Sequence, residues 1–167
     1  EAAHEAKKSG KDVVVGYVER HTRPDTLALL NGLEEIPNKE ISYHGMALKE
    51  MDLDAVLERK PELVLVDELA HNNAAGCRHL KRYQDVEELL RAGIDVYSTV
   101  NVQHLESLHD LVASITGISV KERIPDDVFD SAAQVEVVDI EPDDLILRLH
   151  EGKVYKENQA KRALNHF

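Results

Sequence analysis

Two kinds of apolar pattern alternate along this chain. Short runs rich in branched side chains fall at residues 12–18 (Val13, Val14, Val15, Tyr17, Val18), 63–66 and 94–98, and each predicts a strand. Between them apolar residues recur every three or four positions, the spacing of an amphipathic helix. Residues 1–9 read as the last turns of a helix stopped by Gly10. Pro24 opens a second helix, with Thr22 as its cap and Leu27 and Leu30 inward. Residues 31–39 read as a turn and 40–43 as a short strand. Asp52 caps a helix that buries Leu53, Val56 and Leu57 and ends before Pro61. Residues 72–80 are loop-like, and 81–91 form a helix with Tyr83, Val86, Leu89 and Leu90 on one face, ended by Gly93. Leu105, Leu108, Val112 and Ile115 line the next helix, which stops at Gly117. Short strands are expected at 119–123 and 134–139, then helices from Pro142 (Leu145, Ile146, Leu149) and over 156–167.

Strands thus alternate with helices, and each crossover is long enough for a parallel connection. The pattern predicts one three-layer α/β/α domain over residues 1–167 with a mostly parallel sheet. In such a sheet the strand carboxyl ends share one edge, where ligands bind. Three polar segments project there: 19–23, 67–71 and 99–104.

The central run, Leu-Val-Leu-Val at 63–66, reads as a strand buried on both faces, and Asp67 and Glu68 follow it. An acid at that place can hold the Mg²⁺ of a nucleoside triphosphate, and a second can activate a water. This is the pattern of a Walker B element; it is also how an ordinary strand ends in solvent. Asp67 is therefore the candidate metal ligand, and Glu68 the candidate activator of water. His71 and Gln103 are candidates to orient that water, although His71 reads equally as a structural histidine. Asn101 and Gln103 follow the next strand, where a polar side chain can report a γ-phosphate; Asn101 equally suits a helix cap. Arg23 is a candidate phosphate ligand, and the cluster Arg78, His79, Lys81 and Arg82 can reach a phosphate or pair with acidic neighbours.

A nucleotide site of this kind needs a Gly-x-x-x-x-Gly-Lys-Ser/Thr loop, whose N–H groups cradle phosphates. No such loop occurs in the 167 residues. The helix read at 1–9 suits the helix that follows such a loop, so the expectation is that the loop and its strand lie just upstream.

Composition narrows the classes. With 32 acidic and 20 basic residues the formal charge is −12, which repels a phosphate backbone and argues against nucleic acid as partner. One cysteine, Cys77, excludes an internal disulfide, and the nine histidines show no zinc-type spacing. No apolar stretch approaches the roughly 20 residues needed to span a bilayer.

Four stretches carry a resemblance: residues 12–19 (Asp-Val-Val-Val-Gly-Tyr-Val-Glu), 61–71 (Pro-Glu-Leu-Val-Leu-Val-Asp-Glu-Leu-Ala-His), 81–89 (Lys-Arg-Tyr-Gln-Asp-Val-Glu-Glu-Leu) and 92–108, which contains Thr-Val-Asn-Val-Gln-His-Leu-Glu-Ser-Leu. In these the chain resembles the KdpD domain, the N-terminal cytoplasmic region of bacterial potassium-sensing histidine kinases. The resemblance implies a Walker A loop just before residue 1, an ATP–Mg²⁺ site that includes Asp67 and Glu68, and at most slow ATP hydrolysis. It implies a parent anchored in the plasma membrane, with a stress-protein-like domain and a kinase core as neighbours. The parent would act on a response regulator controlling a high-affinity potassium uptake system. A homodimer is a further expected partner state. Thr22 stands where the resemblance leads one to expect glycine, and Ala75 and Leu80 where it leads one to expect prolines. Two alternatives stay open: an interaction module of the same sensor with no use for nucleotide, and a stand-alone P-loop NTPase.

Overall fold

A computed structural model describes residues 1–20, 24–43 and 46–151. The chain forms two compact units, one of Glu1–Glu19 with Leu30–Ala132, the other of Arg20–Leu29 with Ala133–Phe167. The first contains a four-stranded sheet, all parallel, in the order β2–β1–β5–β6. Its strands are β1 (Val13–Tyr17), β2 (Glu34–Glu35), β5 (Leu63–Val66) and β6 (Asp95–Ser98). Between them β3 (Lys39–Tyr43) and β4 (Met46–Glu50) pair antiparallel as a separate hairpin.

Residues alternate faces along a strand, so β1 and β5 send side chains into two layers. Val14, Val64 and Val66 pack with Leu53 and Val56 of α3 (Leu53–Arg59) and with Val86 and Leu89 of α4 (Arg82–Arg91). Val13 and Leu63 face Ala3 of α1 (Ala2–Lys8), with Leu33 and Leu65 beside them. Helices therefore cover both faces of the sheet, giving the three-layer α/β arrangement that the pattern predicts. A third cluster, Ala70, Leu105 and Ile124, packs with Tyr83, Leu108 and Phe129.

Local signals set several boundaries. Asp52 Oδ1 accepts from the Ala55 N–H at 3.1 Å, the expected cap of α3. Within β1 the ladder to β5 skips a residue, so Val15 faces Leu65 and Tyr17 faces Val66. The skipped residue is Gly16, where a Cβ would lie 2.8 Å from a Val64 methyl. Only glycine fits this close approach, and the irregularity sets how the end of β1 meets the end of β5.

Elsewhere the chain departs from its pattern. The expected turn at 31–39 contains β2, a two-residue exposed edge strand whose Glu-Glu sequence has no apolar signal. The strand expected at 40–43 is half of a hairpin whose partner, β4, is too exposed to show a buried face. The helix expected from Leu105 begins later, as α5 (His109–Thr116), after a 3₁₀ turn at Val102–His104. Ile115 on it is 75% exposed. On α4 Leu90 is exposed, and the polar Arg82 and Asp85 are buried instead. Residues 119–123 form no strand; their neighbour Ile124 makes a single bridge with Leu105. The segment 134–139 has strand composition but no ladder partner among the described residues, and Val137 and Val138 are exposed. Strand propensity without paired backbone groups does not make a strand.

A short helix α6 (Asp126–Asp130) closes the first unit. The second unit carries most of α2 (Pro24–Leu30) and α7 (Pro142–His150), whose buried residue is Leu149. On α2 Leu30 is buried, whereas Leu27, expected inward, is 39% exposed. The helix expected at 156–167, the cap residue Thr22 and the candidate Arg23 lie outside the described residues.

Candidate functional site

The carboxyl ends of β1, β5 and β6 meet at one edge of the sheet, as parallel topology requires. Asp67 is the first residue past β5, and its backbone N–H donates to the Tyr17 carbonyl at 2.9 Å. Its carboxylate is gripped from both neighbouring strands. Oδ2 accepts from the Glu19 N–H at 3.2 Å, beyond β1. Oδ1 accepts from the Thr99 hydroxyl, beyond β6, and from the Glu68 N–H at 3.0 Å. The Asp67 carboxylate is thus oriented by three different loops while remaining partly exposed.

Glu68 adopts a left-handed backbone, φ 57°. That conformation is uncommon for a residue with a Cβ and persists only where surroundings impose it. Here the Glu68 N–H points at both Asp67 Oδ1 and Thr99 Oγ1, the latter at 3.2 Å, and its carbonyl accepts from the His71 N–H at 3.0 Å. The turn aims the Glu68 carboxylate toward Arg82 Nη1 at 3.8 Å and His71 Nδ1 at 3.9 Å.

His71 connects inward. Its Nε2 lies 3.1 Å from Glu50 Oε1, while Glu122 Oε1 stands 3.9 Å from its Nδ1. Glu50, last residue of β4, is almost fully buried and also accepts from the Ala74 N–H at 2.8 Å and Arg82 Nη2 at 3.0 Å. Burial alone would raise the Glu50 pKa. The hydrogen bonds from His71 and Ala74 and the charges of His71 and Arg82 outweigh it, so the carboxyl sits below its ordinary value. Arg82 is fully buried, its guanidinium stacked 3.9 Å over the Tyr17 ring. Tyr17 in turn donates its hydroxyl to Glu19 Oε2 at 2.8 Å, and its pKa is raised by burial and by that bond.

The structure therefore brings Asp67, Glu68 and His71 together. Asn101 and Gln103 lie on the adjacent loop after β6. Asn101 precedes the 3₁₀ turn but makes no side-chain cap, and its carbonyl accepts from the His104 N–H at 3.0 Å. Gln103 is half-buried, and its carbonyl faces His109 Nδ1 at 3.4 Å. Among the described residues no hydrogen bond or ion pair joins the Asn101 or Gln103 side chain to Asp67 or Glu68.

The basic cluster mostly resolves into pairs with acids. Arg78 bonds Asp54 and Glu88, His79 Nε2 lies 2.6 Å from Glu88, and Arg82 meets Glu50. The sequence reading missed Thr99, Glu50 and the burial of Arg82. Arg82 had a signal: it shares a helical stripe with Asp85, Val86 and Leu89, at the spacing that faces the core. Glu50 and Thr99 had none, because their roles depend on strands paired across the fold.

Among the described residues no three His, Cys, Asp or Glu side chains form a metal cage, and no helix is long and apolar enough to cross a membrane. A Mg²⁺ carried on a nucleotide does not need a cage: one or two carboxylates, phosphates and waters suffice. Asp67, fixed in orientation and partly open, fits that requirement.

A family model described as KdpD, the osmosensitive K⁺ channel His kinase sensor domain, matches residues 1–167. The chain belongs to the KdpD family. It is 58% identical over 166 residues to the sensor protein KdpD of Clostridium acetobutylicum and 58% identical over 165 residues to that of Escherichia coli K12. Each alignment covers 99% of this chain and 18% of the relative. The putative sensor protein KdpD of Synechocystis is 50% identical over 167 residues, all of this chain and 45% of that protein. The chain thus spans under a fifth of the length of the first two KdpD relatives.

Proposed function

We propose that this KdpD domain is a regulatory ATP–Mg²⁺ site within a sensor histidine kinase. One observation carries the reading: Asp67, at the carboxyl end of the central strand, has its carboxylate fixed by Glu19, Glu68 and Thr99 from three loops. When bound, Mg²⁺ would neutralise phosphate charge beside that carboxylate. Asp67 would hold the cation through waters or directly, and the Thr99 hydroxyl and Glu19 N–H keep it aimed.

Glu68 is the candidate base toward a water, and His71, whose Nδ1 stands on the Glu68 side while Nε2 meets Glu50, and Gln103 are the candidates to orient that water. Asn101 and Gln103 are proposed phosphate-side contacts. The 167 residues contain no phosphate-cradling loop, so the reading requires one from sequence outside them. In the parent, this domain would sit on the cytoplasmic side of a membrane-anchored kinase and bias its output toward a response regulator that controls potassium uptake. The other domains of the sensor would be its partners.

Calorimetry with Mg²⁺·ATP tests the reading on a form extended upstream by about 25 residues, enough for such a loop. Saturable binding that weakens in Asp67→Ala supports it. Absence of binding would favour a module that only docks against neighbouring domains.

A further inference from the structure

Arg82 is an expensive residue to bury. Its side chain has no solvent exposure, and its Nε has no hydrogen-bond partner. A guanidinium taken out of water needs compensation from geometry and partners. Its partners come from three elements. Nη1 donates to the Asp67 carbonyl at 3.2 Å, after β5. Nη2 donates to Glu50, at the root of the β3–β4 hairpin, and the guanidinium stacks on Tyr17 at the end of β1.

The hairpin is a two-stranded sheet separate from the main one. Such a ribbon is marginal alone, so its position depends on what holds its root. That root is Glu50, held by Arg82, His71 and the Ala74 N–H, followed by the buried Met51. Farther out, Met46 on β4 is 61% exposed. On the other side of Arg82 and His71 stands the Glu68 carboxylate, at 3.8 and 3.9 Å, too long for hydrogen bonds but short for charges. Glu50 and Glu68 thus share the same two basic groups through different nitrogens, Glu50 by hydrogen bonds at Arg82 Nη2 and His71 Nε2, Glu68 by charge at Arg82 Nη1 and His71 Nδ1.

We propose that Glu68, Arg82, His71 and Glu50 form a relay in which Arg82 positions the Asp67–Glu68 turn and the β3–β4 hairpin registers its state. The nucleotide reading above supplies the stimulus on which this relay rests: a cation at Asp67 draws Glu68 away from Arg82 and His71. Arg82 and His71, already bonded to Glu50, then share their charge with Glu68 no longer, and the hairpin root tightens. Glu122, the third carboxylate facing His71, stays in place and sets the background charge.

The test is hydrogen exchange by mass spectrometry on the intact protein without nucleotide. Glu68→Gln removes the competing charge and mimics its withdrawal. Exchange of the hairpin amides is expected to slow by at least about twofold, the lower end of coupling within one charge network, while β5 is unchanged. In an Arg82→Lys background, which keeps the charge but loses the planar fork, the Glu68→Gln effect is expected to shrink to the part carried by His71. Unchanged hairpin exchange in Glu68→Gln, or an equal effect with Lys at position 82, overturns the relay. Because no nucleotide is present, failure is separable. A hairpin response in a protein that binds no ATP keeps the relay and removes its stimulus; ATP binding with a silent hairpin removes the relay alone.

Discussion

The backbone N–H of Glu19 donates to Asp67 Oδ2 at 3.2 Å, joining the loop after β1 to the loop after β5 across 48 residues of sequence. With Thr99 bonding the other oxygen, one carboxylate ties three strand ends into a single edge. Replacing Asp67 by Ala removes the side-chain acceptor of the Glu19 N–H and one of the two acceptors of the Glu68 N–H. Such an orphaned donor costs about 1–3 kcal/mol where water cannot reach it. Because Asp67 is partly exposed, Asp67→Ala is expected to lose stability toward the low end of that range on urea unfolding. Asp67→Asn, which keeps an acceptor oxygen, should lose less.

Glu50 and Arg82 meet with side chains 5% and 0% exposed. Breaking such a pair from one side leaves a buried uncompensated charge, at a cost of about 3–5 kcal/mol. Glu50→Leu and Arg82→Met should each fall in that range. The double variant should recover much of the loss, because no charge is left behind. A double-mutant cycle from chemical denaturation measures this.

Acid stability has two contributions of opposite sign. Glu50 has a folded pKa below its ordinary 4.5, so its contribution is full above 4.5 and is lost as pH falls through the lower folded value. Asp85 has a folded pKa above its ordinary 3.8, raised by burial and only partly offset by the Asn73 amide at 2.7 Å. Its contribution is present below 3.8 and lost as pH rises through the folded value. Glu50→Gln should therefore flatten the acid limb of stability against pH. Asp85→Asn should stabilise more at pH 7 than at pH 3. Thermal melts across that range read both.

Gly16 sits at the irregular step of β1, where an added Cβ meets Val64 at 2.8 Å and the Met51 sulfur at 3.3 Å. Overpacking of this kind costs about 1–3 kcal/mol. Gly16→Ala should lower the denaturation midpoint accordingly. It should also disturb the Asp67 edge, since Gly16 fixes the register that puts Tyr17 opposite Val66.

The core of this fold was legible in sequence because β1 and β5 are short branched runs and α3 and α4 carry helical apolar spacing. Asp67, Glu68 and His71 were legible as a group because they follow a buried parallel strand. What sequence hid was pairing. β2 and β4 lack a buried face, so no periodicity announces them, and 134–139 shows a strand's composition with no partner to make it one. Leu90 and Arg82 exchanged places for a similar reason. Spacing counts apolar residues, whereas the α4 face is filled by a charged side chain that finds Glu50, Tyr17 and the Asp67 carbonyl.

The most direct test of the Asp67 assignment is the Mg²⁺ dependence of ATP affinity in the upstream-extended form, with Asp67 and with Asn in its place. A cation held by this carboxylate predicts that Mg²⁺ strengthens ATP binding at least about tenfold in the parent, or 1.4 kcal/mol, and has little effect in Asp67→Asn. Equal Mg²⁺ dependence in both would contradict the account and move the cation to other ligands.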